Sequence, residues 1–159
     1  MFLEEKIDRL KREFSPSDFS VPFIEGSSIL KSIETEFIVV KDLTKDQNNL
    51  RQYHNNWPEN IKRKMQVKSL GLNNYTVWLD RLDSNTNYWT VIINRNLQSQ
   101  KHLVYDCKPN AIVALLSIMQ DDFFIVDKKY KWFSYFQINK QTHQVTLFRS
   151  GEKVTPFEV

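Results

Sequence analysis

Residues 123–139, FFIVDKKYKWFSYFQIN, place seven aromatic side chains and three lysines in seventeen positions. If Trp132 to Ile138 is extended, alternation sends Trp132, Ser134, Phe136 and Ile138 to one face and Phe133, Tyr135 and Gln137 to the other. Apolar bulk on both sides cannot be left in water. Such a strand belongs inside a sheet, with one face on the core and the other under a helix or a partner. Lys128, Lys129 and Lys131 cluster in the preceding turn instead of alternating with the rings. An RNA-stacking sheet needs its aromatics exposed on one face and a glycine within the motif, and KYKWFSYF has no glycine. In QINKQTHQV, the polar residues Asn139 to Thr142 predict a hairpin loop between antiparallel neighbours.

Elsewhere the first half reads as helical. Phe2, Leu3, Ile7, Leu10 and Phe14 share one helical face over residues 2–14, and Pro16 ends that run. Ser27 or Ser28 is positioned to cap a short helix to about Thr35, followed by a β-branched and aromatic strand at 36–42. Further helices are expected at about 44–56 and from Pro58 to Met65. Beyond Gly71 come β-like runs at 75–80, 88–94 and 103–106, with RLDSNTN as a hairpin turn between the first two. A buried helix at 107–119, capped by Asp106 and striped by Ile112, Leu115, Leu116 and Met119, interrupts the strands. Strands near 123–126, 132–138 and 144–148 complete the pattern. These elements predict one α+β domain over 1–159. A helical N-terminal half would precede a mostly antiparallel sheet of five or six strands, covered on one face by helices and with one buried helix inserted.

The chain's 159 residues, 41% hydrophobic and 26% charged, suit a folded domain with its own core. Acids at Glu4 and Glu5 stand where a signal peptide needs basic residues, and no apolar run approaches the roughly 18 residues that span a bilayer. A lone cysteine, Cys107, permits no intrachain disulfide. A cytoplasmic protein without membrane attachment is therefore expected. The net charge of +3 arises wholly in the second half: residues 1–80 carry 12 basic and 12 acidic side chains, and 81–159 carry 10 and 7.

Chemical motifs are scarce. The glycines, Gly26, Gly71 and Gly151, each stand alone, so neither a Walker loop nor a dinucleotide fingerprint is present. His54, His102 and His143 are too widely spaced for a recognisable metal site. Cys107 in the first turn of a helix would have a lowered pKa and be a nucleophile candidate, with His102 upstream as base. A small apolar residue packed at a strand-to-helix junction is the stronger reading. Asp121-Asp122 reads as a turn entering a strand rather than as a catalytic pair. No catalytic residue, cofactor or metal is expected.

The segment FFIVDKKYKWFSYFQIN followed by QVTLFRSG, residues 123–139 and 144–151, resembles small cytoplasmic proteins of Gram-positive bacteria that carry domains of unknown function. In these, an aromatic-Ile-Val-Asp-Lys-Lys-Tyr-x-Trp segment leads into a C-terminal strand pair. Some sit beside polymorphic-toxin genes and look like immunity proteins. The resemblance implies a non-enzymatic protein-binding module, an immunity protein being its narrower form, and carries over no site residue. One departure is charge, because inhibitors of basic nucleases present acidic surfaces and this chain is slightly basic.

Partner contacts are expected at Trp57, Trp78 and Trp89, aromatics of the kind that dominate interface hot spots. The alternative is a nucleic-acid-binding accessory protein using Lys62, Arg63, Lys64 and Lys68 as phosphate contacts, in a stretch without an acid between Glu59 and Asp80. A solvated helix face explains the same cations.

Overall fold

The computed structural model describes residues 3–22, 26–39, 53–74, 76–93 and 104–158, with only the backbone described for 53–55. Helix α1 (Leu3–Lys11) places acids in its first turn and bases in its last, which suits the helix dipole, and buries Ile7. Strand β1 is two residues long (Phe19–Ser20). Helix α2 (Gly26–Phe37) buries Ile29, Leu30, Ile33 and Phe37, an i, i+1, i+4, i+8 set on one stripe. A 3-10 helix (Tyr53–Glu59) carries Trp57 into the core.

The remaining elements are β2 (Lys64–Gly71), a one-turn helix α3 (Thr76–Leu79), β3 (Tyr88–Ile92), β4 (Val104–Cys107), α4 (Pro109–Ser117), β5 (Phe123–Asp127), β6 (Phe133–Asn139), β7 (Gln144–Ser150) and a closing 3-10 helix (Pro156–Glu158). All seven strands among the described residues join one sheet in the order β1-β4-β3-β5-β6-β7-β2, and every adjacent pair is antiparallel. Because β4 and β5 both run against β3, they are parallel to each other. The connection through α4 therefore crosses over β3. Pro109 starts that helix at a position where its missing N–H costs nothing.

Register assigns the faces. On one face Val91, Phe124, Tyr135 and Phe148 are successive cross-strand partners. Here Phe37 of α2 packs on Phe133 and Trp57 packs on Phe124, with centroids 5.1 and 5.7 Å apart. On the opposite face Ile92, Phe123, Phe136 and Leu147 align. There Trp78 of α3 and Phe157 of the closing 3-10 helix both lie against Phe136, at 5.6 and 5.2 Å, and α1 and α4 complete the layer. Phe123, Phe124, Phe133, Tyr135 and Phe136 are all at most 1% exposed. Burying each contributes on the order of 1.5–3 kcal/mol, which makes β5 and β6 the energetic centre.

The expectations for this centre hold. Strands β5, β6 and β7, the β6–β7 hairpin and the two-faced burial of β6 lie where the alternation placed them. Asn139 Oδ1 closes the hairpin by accepting from Gln141 N and Thr142 N, at 3.0 and 3.1 Å. The lysine turn is held by Asp127, whose Oδ1 accepts from Lys131 N at 2.5 Å and Trp132 N at 3.0 Å.

Other expectations are corrected. Among the described residues the sheet has seven strands rather than five or six, and helices cover both faces rather than one. The N-terminal half is not simply helical, since it supplies β1 and β2, the two outermost strands. Residues 58–65, expected as a helix, form the end of the 3-10 helix (58–59), a bridge and turn (60–63) and the start of β2 (64–65), where pairing with β7 overrides the helix propensity of Lys, Met and Gln. Residues 76–79, expected as a strand, form α3, because one helical turn buries the neighbours Trp78 and Leu79 together, whereas a strand would send them to opposite faces. RLDSNTN is consequently no hairpin but a turn in which Asp83 Oδ1 accepts from Asn85 N at 2.9 Å. The expected strand at 36–42 yields to α2, which runs to Phe37, and to a single bridge between Ile38 and Ile61; residues 40–42 and most of the helix expected at 44–56 lie outside the described residues. Ser27 and Ser28 sit within the first turn of α2 and do not cap it. Cys107 ends β4 instead of starting a helix, and the residue at the helix cap is Lys108, not Asp106.

Candidate functional site

The two lateral strands of the sheet differ in what they offer. β1 is too short to template anything. β2 is eight residues long, roughly 27 Å, and pairs with β7 on one side only. Residues 37–39 cross its approach, with Val39 N donating to Asn60 O and Lys62 N to Phe37 O. That crossing runs away from β2, because 37→39 advances as 62→60. From Lys64 onward no described strand lies along the outer edge of β2.

Hydrogen-bond alternation fixes which backbone groups point outward. Leu72 N donates to His143 O at 2.7 Å, so Leu70 and Lys68, two and four residues earlier, turn their groups toward β7. Ser69 and Gly71 turn theirs away. A register shift between Gln66 and Lys68 marks a bulge. Before it, Gly151 N donates to Arg63 O at 2.8 Å, which directs Arg63 and Met65 toward β7 and Lys64 and Gln66 outward. The start of β2 is pinned tightly. Arg63 and Gly151 both adopt positive φ, 47° and 58°, and a Cβ on residue 151 would lie 3.1 Å from Arg63 Cβ.

Side chains on β2 alternate in chemistry as well as direction. Lys64 and Gln66 share the face of Phe148, while Met65 and Lys68 share the face of Arg149 and Leu147. Met65 is 43% exposed, although Arg149 Nη2 points at its sulfur at 3.1 Å. Lys64 extends over rings of the sheet, its Nζ 4.4 Å from the Phe148 centroid and 5.5 Å from that of Tyr135. Desolvation there lowers its pKa, opposed by the charges of Glu59 and Asp122.

Behind Lys64 lies Asp122, an acid whose pKa is raised. Asp122 Oδ2 accepts from Tyr135 OH at 2.5 Å and Oδ1 accepts from Ile138 N at 2.9 Å. Burial raises its pKa, as does the charge of Asp121, while those two donors and Lys64 act in the other direction. The same burial pushes the Tyr135 phenol up, with Asp122 adding to it. Both oxygens of Asp122 are thus engaged by its own sheet. The group ties the start of β5 to β6 and leaves no carboxylate oxygen turned to a substrate.

The expected partner contacts divide. Trp57 and Trp78 are 0% and 1% exposed, so the expectation that they lie on the surface is corrected: both are core side chains over Phe124 and Phe136. Trp89 is half-buried, with Lys128 Nζ 4.3 Å from its ring centroid. Lys128 also pairs with Asp106 at 2.8 Å, and Asp106 accepts from Asn87 Nδ2 at 2.8 Å. The lysine turn thereby folds onto the sheet.

The four expected phosphate contacts do not form one surface. Lys62 Nζ donates to Thr35 O at 2.8 Å, at the C-terminal end of α2. Arg63 packs against Gly151, and Lys64 and Lys68 project from opposite faces. Cys107 is fully buried and burial pushes its thiol up, the reverse of an activated nucleophile. His143 occupies the β6–β7 turn at positive φ. His102 lies outside the described residues, and of His54 only the backbone is described. Among the described residues no three His, Cys, Asp or Glu side chains gather to hold a metal, and no helix is long and apolar enough to cross a membrane.

Concavities lined by described residues include two of note. One of about 500 Å³ lies along α2, where Ser32 and Thr35 donate to carbonyls of their own helix and Glu36 pairs with Lys153. The other, about 260 Å³, sits between Leu72, Leu116, Met119 and Ile138. Neither assembles a nucleophile, a base and an oxyanion donor.

No family model matches the chain, and neither a curated protein nor a solved structure matches it. The signal for β2 was present in its residues. Lys64-Met65-Gln66-Val67 alternates polar and apolar, but the same letters also satisfy a helix with Ile61 and Met65 turned inward.

Proposed function

We propose that this chain is a non-enzymatic protein-binding module that captures an extended segment of a partner along the outer edge of β2. The observation that carries the reading is an eight-residue lateral strand with outward backbone groups at Lys64, Gln66, Ser69 and Gly71 and no described strand beside it. Strand addition to such an edge draws affinity from main-chain hydrogen bonds and specificity from alternate side chains. An immunity protein acting on a toxin in the bacterial cytoplasm is the narrower form. The resemblance in residues 123–139 and 144–151 supports it. A nucleic-acid role has less support, since Lys62 is engaged by α2 and Lys64 and Lys68 face apart.

A photo-crosslinking amino acid at Met65, compared with one at exposed Val154, tests the reading in the native cell. A protein adduct at position 65 that disappears in a Ser69→Pro background supports it. Adducts of equal yield at both positions, or none at 65, overturn it. Protection of cells from a toxin encoded beside the gene, lost in the same background, tests the narrower form.

A further inference from the structure

We infer that the segment taken up by β2 is an acidic strand, with carboxylates placed to meet Lys64 on one face and Lys68 on the other and an apolar side chain beside Met65. This rests on β2 being the docking edge. Charge selects the occupant. No acid occurs between Glu59 and Asp80, so along β2 the side chains offer cations, amide and hydroxyl groups and apolar surface only. A second copy of the chain is disfavoured, because two β2 strands would bring Lys64 and Lys68 of each onto one seam. Lysines and a bulge on a lateral strand are the means by which sheets avoid pairing with themselves. The same cations leave an acidic strand as the favourable addition.

Geometry adds the apolar requirement. An incoming strand alternates its side chains in step with β2, so residues beside Lys64 and Gln66 fall on the face of Phe148, and those beside Met65 fall on the face of Leu147. Lys64 already lies over two rings, and a carboxylate beside it would meet a partly desolvated ammonium. At Met65 an exposed thioether adapts to whichever apolar side chain arrives.

The test uses the full chain, isotope-labelled, with three short probes: a Glu/Val peptide built on Glu-Val-Gln-Glu, which sets its two glutamates on opposite faces with valine on the face of the second, the Lys/Val counterpart built on Lys-Val-Gln-Lys, and oligothymidine. The Glu/Val peptide is expected to shift the amide signals of residues 64–71 and to bind at least about tenfold more tightly than the Lys/Val peptide, with the difference shrinking as salt rises. Lys64→Glu combined with Lys68→Glu should reverse the preference, and Ser69→Pro should abolish it. If the double reversal does not fold, the wild-type comparison of the two peptides decides alone. Equal affinity for both peptides overturns the acidic assignment. An adduct at Met65 from the native cell with a neutral or basic strand also overturns it, yet leaves the docking edge standing. Stronger shifts of the same amides by oligothymidine overturn it in favour of nucleic acid. Absence of both peptide shifts and a native adduct sinks the docking edge itself.

Discussion

Strands β6 and β2 both combine lysines with apolar residues in a short stretch, and they do opposite things. In β6 the lysines have moved into the preceding turn, where Lys128 closes over Trp89, and the strand itself is apolar on both faces under helices. In β2 the lysines stay within the strand, one per face, and the strand ends the sheet. The difference teaches that where a cation falls relative to the pleat decides the strand's position. A lysine in the ladder restricts a strand to the margin, whereas a lysine in the turn leaves the strand free to be interior.

The largest effect should come from the centre. Phe124→Ala or Phe133→Ala is expected to cost about 3–5 kcal/mol, read from urea denaturation, because each ring touches aromatic neighbours on its own face. At the margin, Ser69→Pro removes an outward donor and should cost about 1 kcal/mol or less while abolishing strand addition. A loss from Ser69→Pro as large as that from Phe124→Ala would erase the distinction between the two regions.

Asp122 provides a pH test of the junction between them. Its folded pKa lies above the ordinary 3.8, so the folded chain holds a proton that the unfolded chain has released. This group's contribution is full below 3.8 and is lost as pH rises through the higher folded value. The urea midpoint of the native chain relative to Asp122→Asn should therefore fall as pH rises from about 4 to neutrality. Half-buried Asp18 and exposed Glu36, with pKa values lowered chiefly by hydrogen bonds from Lys108 and Lys153, act oppositely and are common to both proteins. A difference that rises with pH would place Asp122 in a polar rather than a buried setting. The smallest effect is expected for Lys64→Met, about 0.5–1 kcal/mol or less from the lost cation–ring contact. A larger one would move Lys64 from the margin into the core.

Much of the centre was legible because burial on both faces leaves an unambiguous pattern. Trp132 to Ile138 and Phe123 to Val126 admit only an interior strand. The exterior was harder to read because single residues satisfy two periods. Ile61 and Met65 are four apart, as on a helix, and Met65 and Val67 are two apart, as on a strand; only β7, beginning at residue 144, decides between them. Trp57 and Trp78 read as surface anchors by residue type alone, tryptophan being enriched in interface hot spots. Short helices nevertheless turn each inward onto a phenylalanine of the sheet. The bond from Tyr135 to Asp122 had no signal in either segment alone, since it depends on the register of β5 against β6.

The pairing of β2 with β7 also has a consequence for the order of events on the ribosome. Ser69 and Thr146, whose hydroxyls meet at 2.9 Å, are separated by 77 positions. β2 is synthesised early and must wait, without its ladder, until residues 144–150 emerge. A nascent chain halted before Gln144 lacks the strand on which β2 is templated. The proposed capture along this edge would thus be reserved for chains in which β7 has been made, and a copy halted before it would not compete for a partner.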